Sequence, residues 1–139
     1  MINAPEQWDP ALELGHDAID RQHRALFEMI LELDRRMSEG DFGQGVLDAL
    51  QGMKAYAATH FEEEEAIMSR AAWPRFQEHQ AMHGEFMRKT NLFSAEALAD
   101  SEWTSLDLLR FLLTWLVQHI KVQDRGFFAW KEKQAQAQA

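Results

Sequence analysis

The chain has 139 residues, enough for one domain with a single sizeable core but not for two. Cysteine is absent, which excludes disulfides, thiolate metal sites and cysteine nucleophiles, so any metal must be held by nitrogen and oxygen. A formal charge of -9, from 23 acidic against 14 basic residues with no Lys/Arg cluster, leaves no phosphate-tracking patch and excludes nucleic acid as an expected partner.

Residues 1–16 carry Pro5, Pro10 and Gly15 among scattered apolar side chains, which predicts an irregular N-terminal arm anchored by Trp8. Its start lacks a charged region followed by an apolar run, so no secretory signal is expected. The densest apolar stretch, Leu108 to Val117, is interrupted by Arg110 and is well short of the ~20 residues that span a bilayer. A soluble, cytoplasmic protein with no membrane segment is the expectation.

From Asp17 the apolar residues recur at steps of three and four (Ile19, Leu26, Phe27, Ile30, Leu33, Met37), predicting a first helix over 17–39 with Asp17 as cap and Gly40 as stop. After a turn with two glycines, Val46, Leu50, Met53, Tyr56, Ala57, Phe61 and Met68 sustain a second helical face over 46–71, which Pro74 brings to an end. A third helix is expected over 74–95 with Phe76, His79, His83, Phe86 and Met87 inward. The fourth is expected over 104–133. Asp100, Ser101 and Thr104 offer capping side chains before it, and Thr104 with Asp107 resembles a capping box. Gly126 is a place for a kink, and the Gln-Ala repeat at 134–139 reads as a loose tail. Four amphipathic segments joined by short connections predict an all-α fold, an up-down-up-down four-helix bundle with the arm laid across it.

Each helix carries metal-binding side chains on its apolar face. His60 and Glu64 are four residues apart, as are His79 and His83, and on an α-helix such pairs lie only about 40° apart around the axis. His23 comes from the first helix. His119 and Asp124 are five residues apart, a swing of about 140°, so that pair needs a local distortion or an Asp reaching from the side. A lone histidine on an apolar face is ordinarily a hydrogen-bonded core residue, but five buried together without a metal leave many ring nitrogens to satisfy. Glu63, three residues from His60, competes with Glu64; Glu62 and Glu65 read as solvated surface, and His16 as a loop or cap residue. Five imidazoles and two carboxylates exceed the four ligands of a structural zinc, whereas two metals ~3.5–4 Å apart bridged by the carboxylates use them all. With a further oxo or hydroxo bridge, the imidazoles divide three and two, which leaves one metal with an open position.

The segments Asp20-Arg21-Gln22-His23, His60-Phe61-x-x-Glu64-Glu65-x-x-Met68, His79-x-x-x-His83 and Trp115-Leu116-Val117-Gln118-His119-Ile120-Lys121 with Asp124 resemble, in order and spacing, the motifs of the bacterial hemerythrins. The resemblance runs from Trp8 to about Phe128. It implies two iron ions, cycling between Fe2+ and Fe3+, bridged by an oxo or hydroxo group and by Glu64 and Asp124. His79, His83 and His119 are then expected on the six-coordinate iron, and His23 and His60 on the five-coordinate iron, where dioxygen binds as hydroperoxide. Leu26, Phe61, Trp115, Leu116 and Ile120 are expected to line the oxygen pocket, an apolar wall offering no acidic proton. Phe127 stands where many members have tyrosine.

The implied function is reversible oxygen binding for storage, delivery or buffering by a protein that is not an enzyme, with an oxygen-consuming enzyme as recipient. The alternatives are an oxygen or redox sensor acting through a separate partner protein and, further off, a di-iron oxidase. The ferritin-like oxidases use Glu-x-x-His pairs in their helices. The spacing occurs here only at Glu13 and His16, outside the expected helices.

Overall fold

The computed structural model describes residues 8–97 and 101–138, with backbone alone for 101–103. Residues 1–7 of the expected arm, Asp100 of the expected cap, and Ala139 lie outside the described residues. The architecture is an all-α four-helix bundle. Helix α1 spans Asp17–Ser38, α2 Gly43–Arg70, α3 Phe76–Ala97 and α4 Ser101–Val117; a π-helical turn, Gln118–Asp124, joins α4 to α5, Arg125–Gln138. α1 and α3 each pack on both α2 and α4. Among the described residues no helix is long and apolar enough to cross a membrane.

The apolar stripe of α1 is buried as its spacing requires: Ile19, Leu26, Phe27, Ile30 and Leu33 all face the core, each worth roughly 1.5–3 kcal/mol of burial. Its cap differs from expectation. His16, not Asp17, is the N-cap, and its Nδ1 accepts the amide of Ile19 at 3.3 Å. Asp17 instead opens the first turn, where its charge meets the positive end of the helix dipole. At the other end Gly40, at φ +79°, lets the Gly40 and Asp41 amides fold back onto the carbonyls of Met37 and Arg36. α2 ends by the same device with Ala72 at φ +55°, and Trp73 then packs with Met68 and Phe127.

The arm is tied down by Trp8, whose ring meets Phe27 edge-on at 5.6 Å and whose indole donates to Glu13 at 2.9 Å. Asp20, buried in α1, accepts the amides of Leu14 and Gly15 at 2.9 and 3.1 Å, holding the arm against the helix start. α4 begins at Ser101, so Thr104 lies inside the helix and is buried. Residues 134–138, where composition predicts a loose tail, are helical and exposed.

The core falls into two apolar clusters. The larger joins Leu26, Ile30, Met53, Phe61, Phe86, Leu112 and Trp115; the smaller joins Met68, Trp73 and Phe127. Trp115 lies flat on His119, and Trp73 contacts His79. A polar layer is thereby enclosed between two apolar ones.

Candidate metal centre

α1 supplies His23, α2 His60 and Glu64, α3 His79 and His83, and the π-helical turn His119 and Asp124, and none of these seven is more than 2% exposed. In an α-helix residues five apart diverge. The π-helical turn hydrogen-bonds at i→i+5 instead, which stacks its residues at that spacing, and His119 Nε2 and Asp124 Oδ2 come within 3.1 Å. Of the two ways to bring the pair together, a local distortion or an Asp reaching from the side, the chain takes the distortion.

All five imidazoles turn Nε2 inward, and the carboxylates sort them. Glu64 Oε1 lies in hydrogen-bond contact with His79, 3.1 Å from His83 and 3.3 Å from His119. Glu64 Oε2 lies 3.0 Å from His60 and 3.9 Å from His23. Asp124 presents Oδ1 to His79 at 3.2 Å and Oδ2 to His23 at 2.8 Å. Glu64 thus offers one oxygen to each side of the layer, whereas Asp124 Oδ2 reaches both His23 and His119, which Glu64 separates. Donor atoms of His23, His60, Glu64, His119 and Asp124 lie within 4.8 Å of one another, as do those of Glu64, His79, His83 and His119. His119 belongs to both groups, and its Nε2 is 3.4 Å from that of His60.

The charges in this layer do not balance through the protein alone. Burial resists the protonated form of His119, but Asp124 and Glu64 overcome it and push its pKa up to about 10. Burial and the charge of Glu64 resist ionisation of Asp124, yet His119 and His23 carry its pKa down to about 2. Glu64 is likewise held well below the usual carboxylate range, against burial, by His119 and His60. Burial holds His23 and His83 below the ordinary imidazole value. Several inward atoms, His23 Nε2, Glu64 Oε2 and both Asp124 oxygens, are buried close together without an aligned hydrogen bond. Lone pairs aimed at shared points rather than at each other are what cations between them require, so these residues fit two bound metal ions.

Two of the imidazoles are oriented from behind. His60 Nδ1–H donates to the Gln22 carbonyl oxygen at 2.7 Å, and the Gln22 amide donates to Glu63 at 2.5 Å. His83 Nδ1–H donates to Glu65 at 2.9 Å, and Gln80 donates to the other oxygen of Glu65 at 2.8 Å. Such partners fix the tautomer, leaving Nε2 free to bind. Glu63, the competitor of Glu64, is exposed and faces Gln22, away from the cluster. Sequence reading left Gln22 and Gln80 without a role and took Glu65 for solvated surface; spacing within one helix carries no record of a partner on the next.

Leu26, Phe61, Trp115, Leu116 and Ile120 are all buried in the larger apolar cluster. Three aromatic rings cover imidazoles face to face: Phe61 on His83 at 3.9 Å, Trp115 on His119 at 4.5 Å and Tyr56 on His60 at 4.8 Å. Tyr56 went unnoticed among the apolar residues of α2, although it precedes His60 by the same four-residue step that relates His60 to Glu64. Burial, reinforced by Glu64 and Asp124, pushes its phenol well above the ordinary tyrosine value.

A helical bundle whose four helical segments close around five buried imidazoles and two carboxylates defines a class of histidine-rich bundle proteins with a cluster able to hold metal. The profile of the Hemerythrin HHE cation binding domain matches residues 14–130, and the chain belongs to the hemerythrin family. It is 31% identical over 124 residues to a bacteriohemerythrin of Clostridium acetobutylicum, covering 86% of this chain and 96% of that one. It is also 34% identical over 131 residues to a hemerythrin of Siphonosoma cumanense, covering 93% and 94%, and 30% identical over 132 residues to a myohemerythrin of Phascolopsis gouldii, covering 95% and 97%.

Proposed function

We propose that the protein binds dioxygen reversibly at two iron ions and serves as a cytoplasmic oxygen store or carrier that supplies an oxygen-consuming enzyme, without itself being an enzyme. Membership of the hemerythrin family supports oxygen binding at a di-iron site. The observation that carries the residue assignment is the division of carboxylate oxygens: Glu64 faces His79, His83 and His119 with Oε1, and His60 and His23 with Oε2. In this reading His79, His83 and His119 would hold one iron and His23 and His60 the other, with Glu64 and Asp124 shared between them.

Two ferrous ions, when bound, supply the electrons that oxygen binding takes up and its release returns. The chain's own residues do the rest. Five imidazoles divided three and two would leave the iron held by His23 and His60 with one imidazole fewer than the other, so that side would be the one open to a small molecule. Gln22 and Glu65 hold His60 and His83 in the binding tautomer. Leu26, Phe61, Leu116 and Ile120 keep water from the open position, which favours release of oxygen over further reaction.

The test is anaerobic reduction of the iron-loaded protein, titration with oxygen, then removal of oxygen, with iron content and visible absorption recorded throughout. The expected result is two irons per chain and a charge-transfer band that appears with oxygen and vanishes with it. Iron that oxidises once and resets only with added electrons overturns carriage and favours a redox sensor or oxidase.

A further inference from the structure

Tyr56 is the only tyrosine in a chain with nine phenylalanines, and it sits at 8% exposure with a hydroxyl that has no aligned hydrogen-bond partner. Phenylalanine fills nearly the same volume and leaves no such group unsatisfied. Trp115 has the same peculiarity: it is 8% exposed, and its indole nitrogen is buried and unpartnered. The two polar heads are neighbours, the indole N–H being the one group that acts on the phenol as a hydrogen-bond donor, though no hydrogen bond is formed between them. Their rings lie flat on His60 and His119, whose Nε2 atoms are 3.4 Å apart, and both touch Phe61, at 5.7 and 5.8 Å between ring centres. Two unsatisfied polar groups therefore meet within the apolar cluster that also holds Leu26, Phe61, Leu116 and Ile120.

An indole nitrogen can only donate, whereas a phenol oxygen can accept one hydrogen bond and donate another. When Trp115 donates to Tyr56 Oη, the phenolic hydrogen is left over, and no side chain among the described residues accepts it. We propose that Tyr56 and Trp115 form a hydrogen-bonding corner of the ligand pocket, in which Tyr56 Oη–H donates to a small anionic or dioxygen ligand entering beside His60 while Trp115 fixes the direction of the hydroxyl. The acceptor arrives with the ligand, which is why the donor stands unpaired without it. This rests on the di-iron reading above and adds to it a polar residue that chooses among ligands: one with an electron-rich outer atom is held longer than one without, such as carbon monoxide.

The test uses Tyr56→Phe in the full chain, loaded with iron and oxidised, with azide as the probe. The expected result is unchanged iron content, a metal-free unfolding temperature equal to or above that of the unaltered chain, and azide binding weakened about 10-fold, as the loss of a hydrogen bond to a charged ligand gives. Trp115→Phe is expected to weaken azide less, because it removes only the orientation of the hydroxyl. Because the chain holds one tyrosine, ring-labelled tyrosine gives a single assignable infrared C–O band; in the unaltered chain it is expected to shift when azide binds. Equal azide affinity in Tyr56→Phe with a band that does not move overturns the proposal. So does a lower metal-free unfolding temperature with loss of iron, which assigns the hydroxyl to the fold. An unaltered chain that takes up no iron overturns the di-iron reading itself, a result seen before any variant is made.

Discussion

α3 and the turn after α4 each bring two polar side chains to the same buried layer, by opposite means. His79 and His83 lie four residues apart on a regular α-helix, and the ordinary pitch aligns them. His119 and Asp124 lie five apart, and only the widened i→i+5 turn aligns them. The products differ as well. Both α3 histidines reach Glu64 Oε1, whereas the π-helical pair reaches both sides of the layer, Asp124 touching His23 and His79, and His119 touching His60 and Glu64. On α3 the regular pitch brings both side chains to one side of the layer, whereas the widened turn, like Glu64 on α2, reaches both.

Removing a ligand from each region breaks this comparison most sharply. Asp124→Ala, which strips a carboxylate from both sides, is expected to reduce iron from two per chain to less than about one, whereas His83→Ala is expected to leave about one. Equal losses by metal analysis would mean that the two regions serve the metals alike. Helix content measured in parallel separates loss of iron from loss of fold.

A subtler change removes the distortion and keeps the ligands. Val122 is 55% exposed within the turn, and deleting it sets His119 and Asp124 four apart, the step that already relates His60 to Glu64. The expected product is a continuous α-helix with Phe127 still facing the core, a higher metal-free unfolding temperature, and iron uptake that persists with lower affinity. A lower unfolding temperature would show that the wide turn belongs to the packing of the bundle rather than to its metal site.

The smallest effect is a pH dependence. In the metal-free protein the raised pKa of His119 contributes stability that is fully present below pH 6.5 and lost as pH rises through about 10. The depressed pKa of Asp124 contributes stability present above pH 3.8 and lost as pH falls through about 2. On α3 the two histidines oppose each other: burial resists the charged form of both, but Asp124 and Glu64 raise His79, which acts in the same sense as His119, whereas the lowered pKa of His83 costs stability as pH falls through the imidazole range. Metal-free unfolding temperature is therefore expected to decline from pH 8 toward 10, and metal uptake at pH 8 to release protons, because the ion displaces the one on His119. A flat profile from pH 8 to 10 with no proton release would remove His119 from the protonated side of the comparison.

Much of the fold is legible in the sequence because it is a matter of local period. Steps of three and four mark the faces of α1 to α4, Gly40 marks the end of α1, and four-residue spacing marks two of the ligand pairs. Where sequence reading misplaced a detail, a contact outside the helix decided it. His16 rather than Asp17 caps α1 because the arm, held by Asp20, brings the imidazole over the first turn. At the end of α2 a contact outside the helix also decides the geometry, Ala72 taking a left-handed backbone beside Trp73, which packs on Met68 and Phe127.

The sequence alone determined the class of bundle and the candidate donors, with Glu63 still competing with Glu64 and either a distortion or a sideways reach open for His119 and Asp124, because those follow from residue type and helical period along one segment. Only the tertiary structure decided which carboxylate oxygen meets which imidazole, that Gln22 and Glu65 stand behind His60 and His83, and that the hydroxyl of Tyr56 meets the indole of Trp115. These are contacts between side chains on different helices, and their geometry depends on how the helices are rotated and offset against one another, which packing of the whole core sets and no single segment encodes.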